Sequence, residues 1–335
     1  MTMTLNGPGS EERAEPFAAA VSPKFIVSIH LAAGPQDRAE LQVRDARTGR
    51  VLDREIAQQK GTAAFGSVTA AGDGRTFFVS VLNRMRCGGE IRRLKIDESG
   101  AIREFAPVTN GKVTRREILS LAVSSSGTRL AFVERPCIAG QRAPTFKNSK
   151  ISVLSVATGE RRDWVSAAEL ELSEPSWTAD GRTIGFRTYK MPARRSARPH
   201  IELRALDTTA PGGDLLSASR VVMVPTAQWG DVNGMMLAPD GRTVLAVVAQ
   251  SRFATAPSSM GTMAAYALIR ATVGRSDAEV LKVWRTDQPV DGLLAVDRSG
   301  RHLLVRGPGR FERIDDGKVS ELVEEPGKRT DVATW

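Results

Sequence analysis

A chain of 335 residues that is 41% hydrophobic, 25% charged and 5% aromatic has enough apolar material for a large core, built mostly from Val, Leu, Ile and Ala. Its two cysteines are too few for a disulfide scaffold or a zinc site, and no C-x-x-C occurs. No run approaches the roughly 18 apolar residues of a membrane span, and the net charge of +9 raises the prospect of an anionic partner.

Residues 1–22, rich in Gly, Glu, Pro and Ala, lack the basic start and apolar centre of a signal peptide. A disordered tail and a cytoplasmic address are the expectation. From Lys24 to His30 the chain reads as a strand, and Glu40 to Arg44 reads as the next, running into a turn at Gly49. Thereafter a small polar residue and a glycine recur between two β-forming runs: Asp73-Gly74, Ser126-Gly127, Asp180-Gly181, Asp240-Gly241 and Ser299-Gly300. The glycines follow one another by 53 to 60 residues, the period of a repeat. Each pair joins an inner strand to a second one, as in Leu119 to Ser124 then Thr128 to Glu134, with glycine supplying the positive φ of a hairpin.

A second set of turns at Gly49, Gly100, Gly159, Gly213, Gly274 and Gly317 follows third strands such as Ile91 to Ile96, Ile151 to Val156 and Ile201 to Leu206. Six turns of this kind against five of the first leave one hairpin to be made where the two ends of the chain meet. The final Asp331 to Trp335 matches an inner strand, like Glu174 to Trp177 before Asp180-Gly181. The prediction is an all-β, six-bladed β-propeller of four-stranded antiparallel blades over residues 23–335, with the C-terminal segment as inner strand of blade 1. The rival is an inner strand made by Phe17 to Val21. Ala-Pro-Asp-Gly-Arg at 238–242, Thr-Ala-Asp-Gly-Arg at 178–182 and Asp-Ala-Arg-Thr-Gly at 45–49 give the chain a turn chemistry that resembles the TolB-type, WD-repeat-like bacterial propeller family over nearly its whole length. That resemblance implies an interaction scaffold.

In such a ring the connections from second to third strand and from outer to next inner strand share one face, and the longer ones here are of those kinds. Loops on a rigid scaffold are the usual seat of binding. They bring Arg84, Arg86, Arg135, Arg142, Lys147, Lys190, Arg194, Arg195, Arg198 and Arg252 to a basic rim suited to carboxylates, phosphates or an acidic protein patch. Solvated loop charges are the plainer explanation. Cys87 and Cys137 stand at matching places after successive second strands. Independent thiols are expected, with a disulfide between adjacent blades as the alternative.

Nearer the axis, Glu117, Glu174, Asp231, Asp291 and Asp331 precede or begin inner strands. Their convergence would hold a divalent cation such as calcium, although loop capping explains them equally, and no other cofactor is expected. Trp229 and Asn233 are placed at the channel mouth, whereas Trp177, Trp284 and Trp335 read as packing between blades. His30, His200 and His302 fall on separate segments, and no nucleophile elbow, zincin or phosphate-loop motif is present. The arginines follow no aromatic-interleaved stripe, so nucleic acid is disfavoured. The function read from these residues is a non-catalytic protein that binds a protein or anionic ligand on its loop-rich face. The alternative is a metal-assisted hydrolase or lactonase using the channel acids, and a third reading is a scaffold alone.

Overall fold

A computed structural model of the chain describes residues 22–30, 39–56, 63–83, 87–137, 146–190, 199–226, 229–250, 264–275, 277–286, 290, 292–307, 310–322 and 330–335. The expected tail and the rival strand at 17–21 lie outside the described residues, Ser22 excepted. Blade 1 holds β1 (Phe25–His30), β2 (Glu40–Asp45) and β3 (Val51–Ile56); blade 2 holds β4 (Ala63–Ala70), β5 (Thr76–Asn83), β6 (Gly88–Ile96) and β7 (Ile102–Thr114). Blade 3 is β8 (Arg116–Val123), β9 (Arg129–Pro136), β10 (Lys150–Ser155) and β11 (Arg161–Val165). Blade 4 is β12 (Glu171–Trp177), β13 (Thr183–Lys190) and β14 (His200–Asp207), then β15 (Gly213–Asp214) and a short helix α1 (Leu215–Ala218) before its outer strand β16 (Ser219–Met223). Blade 5 is β17 (Asp231–Leu237), β18 (Thr243–Gln250), β19 (Ala264–Thr272) and β20 (Ala278–Thr286). Blade 6 is β21 (Gly292–Val296), β22 (His302–Gly307), β23 (Arg310–Asp315) and β24 (Lys318–Glu321), and β25 (Thr330–Thr334) returns to complete blade 1.

The ring is therefore a six-bladed β-propeller closed by its C-terminal segment. Antiparallel pairing sets Thr334 opposite Val27, Ala333 opposite Ser28 and Val332 opposite Ile29. Among the described residues no helix is long and apolar enough to cross a membrane.

Turn chemistry explains why the chain reverses where it does. The Asp73, Asp180 and Asp240 carboxylates each accept from the backbone N–H groups two and three residues on, and from the hydroxyl of Thr76, Thr183 or Thr243. Partial burial opposes ionisation of these three acids, but the donors outweigh it and hold them below the ordinary carboxylate range. The next residue, Gly74, Gly181 or Gly241, takes φ of +64°, +64° and +67°, where a Cβ is strained.

One expected turn is corrected. Gly213 does not close a tight hairpin, because residues 208–218 leave blade 4 and lay β15 parallel against β11 of blade 3. The indole Nε1 of Trp164 donates to Pro211 O at 3.1 Å, and a Cβ on Gly212 would stand 2.6 Å from Asp163 O. Gly212 is there for this close approach, which covers an otherwise open sheet edge.

Alternation along the strands sends apolar side chains to both faces of each blade, and the core is accordingly divided among the blade interfaces. Six buried clusters occupy them: Phe65, Phe77 and Leu41 between blades 1 and 2; Phe78, Ile91 and Phe132 between 2 and 3; Trp164, Phe186 and Leu172 between 3 and 4; Leu203, Met235 and Val244 between 4 and 5; Leu245, Trp284 and Leu303 between 5 and 6; Ile26, Phe311 and Trp335 between 6 and 1. Such interfaces take the place of a single core, and burial at about 25 cal/mol per Å² makes them the main stabilising term.

Blade 3 also buries a charge network. Glu134 is fully buried and meets Arg116 at 3.0 Å, Arg161 and Lys150, while Asp163 accepts from Lys150 at 2.7 Å, Ser152 at 2.7 Å and Arg161 at 2.8 Å. Burial raises the cost of ionising Asp163, yet those donors prevail and hold its carboxyl at about 2, below the ordinary 3.8.

Two outcomes are expected. Gly181→Ala has open space for its methyl, so its cost is backbone strain alone, about 1 kcal/mol in urea unfolding. A lowered carboxyl contributes stability that is complete above its unfolded value and lost as pH falls through its folded one. Wild type should therefore lose stability on going from pH 3.8 towards pH 2, and Asp163→Asn, compared by melting temperature, should flatten that part of the acid limb.

Candidate functional site

The face formed by second-to-third-strand connections is the one expected to bind, and the ordered strands fix where those connections start and stop. Lys190, the last residue of β13, is exposed, as is Lys147 just before β10. Arg135 points its guanidinium to Glu117 at 2.7 Å and lies over the Phe146 ring at 5.8 Å. Arg84, Arg86, Arg142, Arg194, Arg195, Arg198 and Arg252 lie outside the described residues.

On the same face Cys87 and Cys137 are joined by a disulfide with a Cα–Cα distance of 6.0 Å, which replaces the expected pair of independent thiols. The reason is local. Arg115, between β7 and β8 with φ of +57°, donates its N–H to Cys87 O at 2.9 Å and accepts at its own carbonyl from Cys137 N at 3.1 Å. That double clamp brings the end of the β5–β6 connection against the end of β9, so the bond staples blade 2 to blade 3.

Along the axis every inner strand carries a register break: between Phe65 and Val68 in β4, Ile118 and Ser120 in β8, Ser173 and Ser176 in β12, Val232 and Gly234 in β17, Leu293 and Ala295 in β21, and at Asp331 in β25. Bulges bend a strand and re-aim its side chains. Glu174, Asn233 and Asp331 thus occupy equivalent bulge positions in blades 4, 5 and 1, whereas Glu117 and Asp231 sit two residues nearer the loop-rich face.

A bulge frees backbone groups, and side chains from neighbouring inner strands satisfy them. Ser67 Oγ accepts from Leu121 N at 3.2 Å, and Glu174 Oε2 accepts from Met235 N at 2.8 Å. Asn233 Nδ2 donates to Val290 O at 2.9 Å. Glu174 has φ of +54° and lies 3.3 Å from Arg187 Nε. Burial pushes its carboxyl up, against the opposing charge of Arg187 and the Met235 hydrogen bond. Asp231 is exposed, and the position of Asp291 lies outside the described residues. Among the described residues no three His, Cys, Asp or Glu stand together as a metal-binding group.

Trp229 is 6% exposed and packs in one cluster with Ile201, Val222 and Val232 in the interface of blades 4 and 5. The histidines stay apart. His30 contacts Ser28 and Arg44 in blade 1, His200 contacts Glu202 in blade 4, and His302 Nδ1 meets Asp315 at 2.6 Å in blade 6.

What the sequence reading missed is at the opposite, hairpin end of the axis. The last residues of five inner strands, Ala70, Val123, Trp177, Leu237 and Val296, together with Trp335 just after β25, line a cavity of about 340 Å³. The signal was the matching position of Trp177 and Trp335 before the turn, which reads equally as blade packing.

No protein-family model matches the chain, and no curated protein matches it in sequence. Its structure is similar to a chain of the nidogen–laminin complex, with TM-score 0.54 and 10% identity over 92% of this chain and 97% of that one. It is similar to the tricorn protease with TM-score 0.53 and 13% identity, covering 92% of this chain and spanning only 30% of that protein. The periplasmic gluconolactonase PpgL of Pseudomonas aeruginosa gives TM-score 0.51 and 12% identity over 89% and 95% of the two chains. At these identities the likeness is one of fold.

The disulfide is directly measurable. Protein purified without reductant and denatured should show no free thiol by thiol titration, and the Cys87→Ser/Cys137→Ser double variant should melt lower than the oxidised wild type.

Proposed function

We propose that the chain is a non-catalytic binding propeller of the TolB-type, WD-repeat-like kind, whose loop-rich face takes an acidic protein or an anionic ligand. One observation carries this reading. The connections between second and third strands of blades 2 to 5 span 84–87, 137–149, 191–199 and 251–263. They contain Arg84, Arg86, Arg142, Lys147, Arg194, Arg195, Arg198 and Arg252, and no Asp or Glu. Four consecutive connections on one face with cations of a single sign make an arc that favours negative partners and speeds their encounter.

The channel acids support binding over hydrolysis. Glu174 already serves Met235 N and Arg187, in the role that Ser67 plays for Leu121, and Glu117 is paired with Arg135. The disulfide bears on location, since a reducing cytosol keeps thiols apart. It favours maturation in an oxidising compartment over the cytoplasmic address expected from sequence.

Immobilised poly-L-glutamate tests the arc. Wild type should bind with an affinity that falls with salt, and the reversal Arg194→Glu/Arg195→Glu/Arg198→Glu should weaken it by about tenfold or more. The matched reversal Arg47→Glu/Arg182→Glu/Arg242→Glu, at exposed residues of the hairpin face, should change it little. Equal losses from both triple variants would reduce the effect to net charge and remove the arc.

A further inference from the structure

The geometry points to a second role for the Cys87–Cys137 bond: it is a redox switch that sets the affinity of the loop-rich face for anionic partners. This rests on the reading of that face as an anion-binding arc. The bond joins the last residue of connection 84–87 to the first of connection 137–149. Those two stretches hold Arg84, Arg86, Arg142 and Lys147, four of the arc's eight cations. Three features separate this cystine from an inert staple. Both cysteines are only half-buried, within reach of an attacking thiolate. Cys87 takes φ of +44°, a left-handed conformation that is costly for a residue with a Cβ and recurs in switch segments. Arg115, whose N–H and carbonyl clamp the two cysteine backbones, is exposed, and its guanidinium makes no hydrogen bond or ion pair among the described residues. A cation tethered beside a cystine and left unneutralised favours the thiolate released when the bond opens.

Opening the bond leaves the fold standing. Along the axis blades 2 and 3 are also joined by Leu121 N to Ser67 Oγ at 3.2 Å and Val123 N to Thr69 Oγ1 at 3.3 Å, and at the hairpin end by Gly72 N to Ser125 O at 3.1 Å. Their interface buries Phe78, Ile91 and Phe132. Reduction therefore releases the rim alone, and the arc loses part of its pre-organisation. The reductant is a low-molecular-weight thiol such as glutathione. Its thiolate attacks one cysteine sulfur, forming a mixed disulfide and expelling the other cysteine as a thiolate that takes up a proton. A second thiolate attacks the glutathione sulfur of that mixed disulfide and expels the remaining cysteine. Two thiols are thus oxidised to one disulfide, while the cystine gains two electrons and two protons.

The full chain gives two readouts. Oxidised native protein is equilibrated with reduced glutathione, alkylated and weighed by mass spectrometry. Both thiols should be modified while the circular dichroism stays that of the folded chain. A bond that survives until the chain is denatured overturns the switch, because structural disulfides resist the glutathione pool; loss of the folded spectrum on reduction overturns it too. Immobilised poly-L-glutamate should then hold the reduced protein about fivefold more weakly than the oxidised one, and reoxidation should restore the affinity. Cys87→Ser/Cys137→Ser should bind at the reduced level with or without glutathione. Equal or tighter binding after reduction overturns the switch and leaves the arc in place. Failure of the oxidised wild type to bind at all removes the arc, and with it the site under control.

Discussion

Everything in the ring rests on the pairing of β25 with β1, two strands from opposite ends of the chain. Without it β1 would be an exposed inner edge, the interface of blades 6 and 1 would lose Ala333 and Trp335, and the axial cavity would be open on one side. The contact spans almost the whole sequence, yet closure entropy grows only with the logarithm of loop length. What the ring gains is the loss of its last free sheet edge and a sixth apolar interface.

Closing six sheets around one axis brings six inner backbones close together, and the bulge in each inner strand is how that crowding is met. Every bulge interrupts a ladder and leaves backbone donors or acceptors that need partners near the channel. Ser67, Glu174 and Asn233 supply them. A carboxylate on the channel wall is therefore first a part of the closure, and its shifted titration records burial beside Arg187. The same constraint separates the two ends of the axis. Towards the loop-rich face the connections are long and carry cations, with the Cys87–Cys137 bond holding blades 2 and 3 together there. Towards the hairpin face the turns are tight, and the space the inner strands leave is lined by apolar residues such as Leu237 and Val296 together with polar ones such as Thr178 and Asp297.

The fold was legible because its punctuation is local. An Asp whose carboxylate gathers two N–H groups and a Thr hydroxyl, followed by a glycine at positive φ, specifies a hairpin whatever lies around it. Three such turns, with Ser126-Gly127 and Ser299-Gly300 at the same spacing, marked the repeat, and the match of Asp331 to Trp335 with Glu174 to Trp177 gave the closure. Gly213 misled for the complementary reason: it pairs with Trp164 of the neighbouring blade instead of reversing the chain, and only that blade reveals that Asp163 O leaves no room for a Cβ on Gly212.

The sites were less legible, since they depend on which residues meet across blade boundaries. Sequence by itself determined the strand order, the hairpin turns, the closing segment and the single sign of charge along four connections, all of which follow from alternation and turn chemistry within a few residues. Tertiary structure alone decided that Cys87 and Cys137 bond around Arg115, that Glu174 serves Met235 in the next blade, that Trp229 packs inside an interface, and that six pre-turn residues enclose a cavity. Those outcomes are set by the angle and register at which one sheet meets the next, and neither quantity is encoded in the spacing of residues along a strand.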